Sequence, residues 1–296
     1  MSSTEEPGHQ TARCLINGEF IATQEARISI FDHGLLYGDG VFEGLRFYNK
    51  IIFKLDEHIT RLCGSADAIS LPMPVDKNQL IQWIHNLVEL SPLKDGYLRL
   101  ILTRGVGALG IDPRNCQTGN IIMIADTLSL MDPTKLSEGI QLITATTRRI
   151  SIEALDPRIK SLNYLNNILA KLEANQAQAD EAILLNSQGH VCEASAENIF
   201  LVKDKTLYTP PCSDGALEGI TRSVILELAS ALDIPNAVQS LKPESFYHAD
   251  ECFLTGSGAE LIPVRSLDGI AFQTSVGPIY SRLLQAFRKE TRLNSD

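Results

Sequence analysis

Several things are scarce in this sequence, and each shortage narrows what the chain can be. No apolar run approaches the roughly 18 residues that a bilayer span needs, so a membrane protein is not expected. Basic residues are outnumbered 26 to 36, which gives a formal net charge of −10. Nucleic acid and anionic membrane surfaces both call for a basic face, so neither is expected as a partner. The six cysteines (Cys14, Cys63, Cys116, Cys192, Cys212, Cys252) form no CxxC pair and have no histidine at zinc spacing. No metal site and no redox motif are expected from them, and reduced thiols in a cytoplasmic protein are the natural reading. The opening MSSTEEPGHQ is polar and acidic, unlike a secretory or transit leader. Internal repeats and low-complexity tracts are also missing.

What is present is ordinary globular composition, 44% apolar and 21% charged, on a chain long enough for two modest domains. In the first half, Leu15–Ile21, Val41–Tyr48, Ile51–Phe53, Tyr97–Thr103 and Asn120–Ala125 read as strands. Asp56–Ile69 and Asn78–Glu89 carry apolar residues at helical spacing. The segment Ser129–Gly139 (SLMDPTKLSEG) has turn formers in place of an apolar pattern and is read as an inter-domain connection. That divides the chain into residues 1–128, a connection at 129–139, and 140–296. In the second part, Ile140–Thr146, Ala182–Asn186, Ile199–Lys203 and Cys252–Thr255 read as strands. A helix is expected over Ser161–Ala179, with Leu162, Leu165, Leu169 and Leu172 as one apolar stripe. Two more are expected, Ile220–Leu232 and about Val276–Lys289. Strands interleave with helices throughout, so the fold class is α+β or α/β in two domains.

Three places have chemical character. SDGALEGITRS (213–223) runs through glycines into an apolar-periodic helix. The free N–H groups of Ile220 and Thr221 at such a helix start suit an anion such as phosphate, and the Thr221 hydroxyl adds a donor. An ordinary loop-to-helix junction reads the same way. Lys160, in DPRIKSLNYLNN, sits where a loop meets a helix; by its neighbours alone it reads as a solvated surface lysine. A lysine that acts as a nucleophile must shed its proton, which burial or a nearby cation such as Arg158 would favour. Glu193 lies between two apolar runs, where a carboxylate needs a positive partner: either a protonated heterocycle or an arginine.

The order and spacing of these places carry a resemblance. YGDGVFEGLRFY (37–48), KLDEHITRL (54–62), IKSLNY (159–164), CEASAENIF (192–200), LEGITR (217–222) and FLTGSGAELIPVRSLDG (253–269) resemble the motifs of the class IV aminotransferases, the fold-type IV pyridoxal-phosphate enzymes. The resemblance covers nearly the whole chain. It implies a small N-terminal α/β domain and a larger C-terminal pseudo-barrel domain. It implies that Lys160 forms a Schiff base with pyridoxal phosphate and shuttles the substrate proton. Glu193 would pair with the pyridinium nitrogen. Arg61, the Ile220 and Thr221 amides and the Ser257 hydroxyl would hold the phosphate. Tyr164 would donate to the ring oxygen, and Leu217 would pack on the ring face.

Within that family, GYLRL (96–100) is similar to the branched-chain type, in which a Tyr and an Arg two residues apart serve the substrate carboxylates. Those would be Tyr97 and Arg99. Tyr37, Phe42 and Arg46 also match that type; without the resemblance the aromatic residues read as plain core packing. The turn Ser257–Gly258–Ala259 would offer backbone N–H groups to the α-carboxylate, Gly258 and Ala259 among them. After Asn120–Ala125 the chain reads DTLSLMD rather than the Trp- and Tyr-containing loop of enterobacterial-like enzymes. The run TRGVGALGIDPR (103–114) holds no Arg-x-His pair of the kind typical of D-amino acid enzymes. The resemblance thus implies transfer of the amino group of L-leucine, isoleucine or valine to 2-oxoglutarate, with amino acids and 2-oxo acids as partners. D-amino acid transamination, a lyase reaction and a silent cofactor-binding protein remain as alternatives. A homodimer or higher homo-oligomer, with Tyr37 reaching a neighbouring subunit, is also implied.

Overall fold

The computed structural model describes residues 11–128 and 133–293, which divide into two compact units. The first takes in the chain up to Leu128 together with the short stretch Lys160–Leu162. Its elements are β1 (Arg13–Ile16), β2 (Glu19–Ile21), α1 (His33–Tyr37), β3 (Gly40–Tyr48), β4 (Ile51–Ile52), α2 (Leu55–Ala68), α3 (Lys77–Leu90), β5 (Gly96–Thr103) and β6 (Asn120–Asp126). The six strands form one antiparallel sheet in the order β2-β1-β6-β5-β3-β4.

The expected strand Leu15–Ile21 is a hairpin instead. Asn17 and Gly18 have φ of 51° and 89°, the paired positive values that a two-residue hairpin turn with the strand twist requires. Elsewhere the period-2 alternation decides which side chains reach the core. Val41, Leu45 and Phe47 on β3 share a buried face with Leu98, Leu100 and Leu102 on β5, where Val41 pairs with Leu102 and Leu45 with Leu98. Ile59 and Leu62 of α2 are buried with them. Glu43 stands in the same row, fully buried, as its one charged member.

The helix expected from Ser161 begins four residues later, at Leu165. Residues 160–162 extend the first unit's sheet: the Phe42 amide donates to the Lys160 carbonyl and the Leu162 amide to the Gly40 carbonyl, both at 2.9 Å, around a Val41–Ser161 bridge. Backbone groups spent on strand pairing are not available to start a helix.

The second unit begins with α4 (Pro133–Glu138), within the segment read as an inter-domain connection; residues 129–132 of that connection lie outside the described residues. It continues with β7 (Ile140–Thr144), α5 (Leu165–Gln176), β8 (Glu181–Leu185), β9 (Val191–Ala194), β10 (Asn198–Lys203), β11 (Thr206–Thr209), α6 (Ile220–Ala231), β12 (Asn236–Val238), α7 (Pro243–Tyr247), β13 (Glu251–Gly256), β14 (Glu260–Leu267), β15 (Ile270–Ala271) and α8 (Pro278–Leu293). Its strands form a mixed sheet in the order β12-β11-β10-β13-β14-β7-β8-β9, with β15 on β14. The fold class is α+β.

The apolar stripe of α5 does not face the core. Leu165, Ile168, Leu169 and Leu172 are exposed, and Asn167, Ala170 and Ala174 are buried in their place. Ala170 and Ala174 pack with Ala145, Ala182 and Leu184, so small residues seat the helix close on β8 and turn the large ones outward. Among the described residues no helix is long and apolar enough to cross a membrane.

Candidate active site

The first unit holds the lysine. Lys160 is fixed by its backbone from two sides: its amide donates to Ser65 Oγ on α2 at 3.1 Å, and its carbonyl accepts from Phe42 on β3. Its ammonium lies 4.5 Å from the centroid of the Phe42 ring, within cation–π range. The Arg99 guanidinium also lies 4.5 Å from that ring and 5.4 Å from the Tyr97 ring. Strand parity explains the gathering. Phe42, Gly44 and Arg46 occupy one face of β3, and their β5 partners are Ile101, Arg99 and Tyr97. Gly44 is required there: a Cβ on it would fall 2.0 Å from Tyr97 Oη. Arg46 is on the same face, 5.7 Å from the Tyr48 ring.

Arg61 lies on the other side of β3. Its Nε donates to Glu43 Oε1 at 2.7 Å and its Nη2 to Oε2 at 2.8 Å. His58, one turn earlier on α2 and almost wholly buried, meets Oε2 through Nδ1 at 2.7 Å. Burial by itself would raise the Glu43 pKa. The charge of Arg61, with the hydrogen bonds from Arg61 and His58, outweighs burial and holds the carboxyl at about 2. Burial lowers the His58 pKa against the pull of Glu43, and the charges of Arg61 and Lys160 add to the lowering. A neutral His58 facing an ionised carboxylate donates from Nδ1. Tyr37, on α1, accepts a hydrogen bond from the Gly110 amide at 2.8 Å and stands edge-on to His33.

The second unit holds the carboxylate and the helix start. Glu193, buried on β9, has Oε1 2.7 Å from Arg149 Nη2 and accepts from the Leu217 amide at Oε2, 2.8 Å. Of the two partners the sequence left open for it, the arginine is therefore realised. These contacts orient the carboxylate. Arg149 is itself tied down, donating to the Gly215 carbonyl at 3.0 Å and to Asn167 Oδ1 at 2.9 Å. Asn198 Nδ2 donates to the Leu217 carbonyl at 2.9 Å, so the Leu217 peptide is held at both ends.

Immediately after it, Gly219 caps α6 with no side chain capping the helix, which leaves the first-turn amides of Ile220 and Thr221 for an anion. A Cβ on Gly219 would fall 1.8 Å from Asn198 Oδ1, so the buried Asn198 side chain or the turn would have to shift to admit one. Ser257, Gly258 and Ala259 make the turn between β13 and β14, where Thr255 pairs with Asn198. Tyr164 is the residue immediately before α5.

Four residues not marked out in the sequence thus hold those that are, Glu43, Ser65, Arg149 and Asn198, and His58 in turn holds Glu43. Glu43 carried a signal, because a charge in an otherwise apolar strand face must be paired.

These parts fit a pyridine ring bearing a phosphate. A capless helix start suits the anion, and a buried, arginine-backed carboxylate suits a protonated ring nitrogen. Over residues 40–267 the chain matches the amino-transferase class IV family. The chain belongs to the class IV aminotransferases. Enzymes of this class depend on pyridoxal phosphate.

Its relatives are more specific. A putative branched-chain-amino-acid aminotransferase of Methanocaldococcus jannaschii is 44% identical over 274 residues, 92% of this chain and 94% of that one. The crystal structure of the branched-chain amino acid aminotransferase of Escherichia coli is similar with a TM-score of 0.91 at 33% identity, covering 94% of this chain and 93% of that one. The branched-chain aminotransferase of the thermophilic archaeon Thermoproteus uzoniensis, solved with norvaline, is similar with a TM-score of 0.90 at 33% identity, covering 96% of each chain.

Proposed function

We propose that this enzyme transfers the amino group of L-leucine, isoleucine or valine to 2-oxoglutarate, with Lys160 attached to the cofactor through a Schiff base. The observation that carries the reading is the cluster on one face of β3 and β5, where the Lys160 ammonium, the Phe42 ring, Arg99 and Tyr97 lie in succession. An apolar side chain gains from contact with Phe42 as water leaves it. Arg99, 4.5 Å from the centroid of that ring, brings a guanidinium suited to a carboxylate. One face can therefore serve a branched aliphatic substrate and a dicarboxylate in turn.

When bound, pyridoxal phosphate supplies an electron-withdrawing ring that stabilises negative charge at the amino acid Cα. Lys160 Nζ moves the proton off that Cα and returns it on the product side. Arg61, the Ile220 and Thr221 amides and Ser257 hold the phosphate, and Glu193 keeps the ring nitrogen protonated. Leu217 covers the ring, and Tyr164 donates to its oxygen. Gly258 and Ala259 offer amides to the α-carboxylate, beside Tyr37 and Arg46 as pocket walls. We further propose a cytoplasmic homodimer. Exposed Phe31, Leu35, Leu109 and Ile111 belong to two segments of the first unit joined by the Gly107–Phe31 hydrogen bond, and such apolar exposure suits a second copy.

The test is a panel of L- and D-amino acids with 2-oxoglutarate, followed by cofactor absorbance. L-leucine, L-isoleucine and L-valine are expected to turn over, and Lys160→Ala is expected to lose the Schiff-base band. Turnover of D-alanine without L-leucine would assign the D-specific reaction instead. Bound cofactor with no half-reaction for any amino acid would mark a silent binding protein.

A further inference from the structure

One face of α2 holds two functional groups of the first unit at once. His58, Arg61 and Ser65 recur at three- and four-residue spacing and therefore share a side of the helix. Ser65 Oγ accepts the Lys160 amide, while Arg61 and His58 both bind Glu43. Glu43 is a poor choice for packing. It occupies a fully buried place between Val41 and Leu45 in an apolar row, where an uncharged residue would avoid the cost of desolvating a carboxylate. Its two oxygens take up the Nε and Nη2 hydrogens of Arg61, which fixes the plane of the guanidinium. A free arginine side chain loses rotamer freedom when it is immobilised, and one already held in place does not lose it again on binding a ligand.

We propose that Glu43 is a positioning residue for cofactor binding: seated by His58, its carboxylate sets the orientation in which Arg61 meets the phosphate. The inference rests on the reading of Arg61 as a phosphate holder. It assigns Glu43 no contact with the cofactor and no part in the chemistry. It makes α2 and β3 a preformed frame in which the phosphate handle and the Lys160 backbone are held by one helix.

The experiment compares affinity for pyridoxal phosphate with affinity for pyridoxal, which lacks the phosphate, both read by absorbance, together with the rate of cofactor loss from diluted holoenzyme. Partners that orient metal ligands are worth roughly 10–100-fold in affinity, and a loss in that range for pyridoxal phosphate is expected in Glu43→Gln. Pyridoxal affinity is expected to change little. Arg61→Ala is expected to show the same selective loss, and the double variant to be no worse than Arg61→Ala alone.

A Glu43→Gln protein that weakens both ligands equally, or neither, beside a selectively impaired Arg61→Ala protein, would overturn the positioning role and leave the phosphate assignment standing. An Arg61→Ala protein with no selective loss would remove the phosphate assignment itself, and the proposal with it. Should Glu43→Gln not fold, His58→Asn reads the same ratio: a smaller selective loss supports the proposal, and an unchanged ratio overturns it.

Discussion

The Arg61 guanidinium and the Glu43 carboxylate meet through two hydrogen bonds inside a layer that is otherwise apolar. Pairing of this kind ties stability to pH. The Glu43 carboxyl is held at about 2, below its usual 4.5, so the folded state binds the ionised form better than the unfolded chain does. The stabilisation is complete above about pH 4.5 and is lost as pH falls toward 2; the gap corresponds to a contribution of the order of 3 kcal/mol. Urea midpoints measured at falling pH should therefore drop more steeply for the parent enzyme than for Glu43→Gln, with the two converging toward pH 2.

Gly44→Ala should damage the substrate face while leaving the cofactor site alone. The new methyl would lie 2.0 Å from Tyr97 Oη, and Tyr97 must swing away from Arg99's neighbourhood to admit it. Misplacement of a positioning group by about an ångström can cost roughly a hundredfold in rate. The expected result is a fall of that order in kcat/KM for 2-oxoglutarate, with unchanged affinity for pyridoxal phosphate.

Arg149→Met should cost stability through Glu193. Both side chains are almost wholly buried, and removing one partner strands the other charge. Such losses run to about 3–5 kcal/mol. Denaturant titration checks the size of the loss, and adding Glu193→Gln to the same chain should recover part of it, since an amide is cheaper than a carboxylate to leave there.

Gly219→Ala should weaken the phosphate cradle. Its Cβ collides with Asn198 Oδ1, so the turn into α6 must shift. Losing one charge-assisted hydrogen bond is worth roughly 10–100-fold in affinity, and a loss of that order for pyridoxal phosphate is expected by absorbance titration. Asn198→Ala in the same chain removes the obstacle and should restore part of the affinity, though Leu217 then loses its carbonyl partner.

Long periodic elements could be read from the sequence because their pattern repeats many times. The helix expected at Ile220–Leu232 runs Ile220–Ala231, and the strand expected at Val41–Tyr48 runs Gly40–Tyr48. Short elements such as β9, β11 and α7 escaped, because a few residues carry little local preference and tertiary pairing decides them. The Asn17–Gly18 dipeptide is a turn signal, but it sits inside a seven-residue run whose other residues favour one strand. On α5 the amphipathic pattern is real, yet the alanine side is the buried one. The shared face of Phe42, Arg46, Tyr97 and Arg99 follows from alternation only once the register Gly44–Arg99 is known. Which arginine would answer Glu193 had no local signal at all: Arg149 is 44 positions away, and only the fold brings them together.

Lys160, with Ser161 and Leu162, is carried by the first unit, while the chain on either side of that stretch belongs to the second. A polypeptide divided near residue 130 would therefore place the lysine on one fragment and the strand that holds it, β3, on the other. Neither fragment would own a finished nucleophile. Lys160 Nζ would regain its setting over Phe42 only when residues 160–162 zipped back onto Gly40 and Phe42, so recovery of cofactor absorbance by mixed fragments would report that short pairing directly.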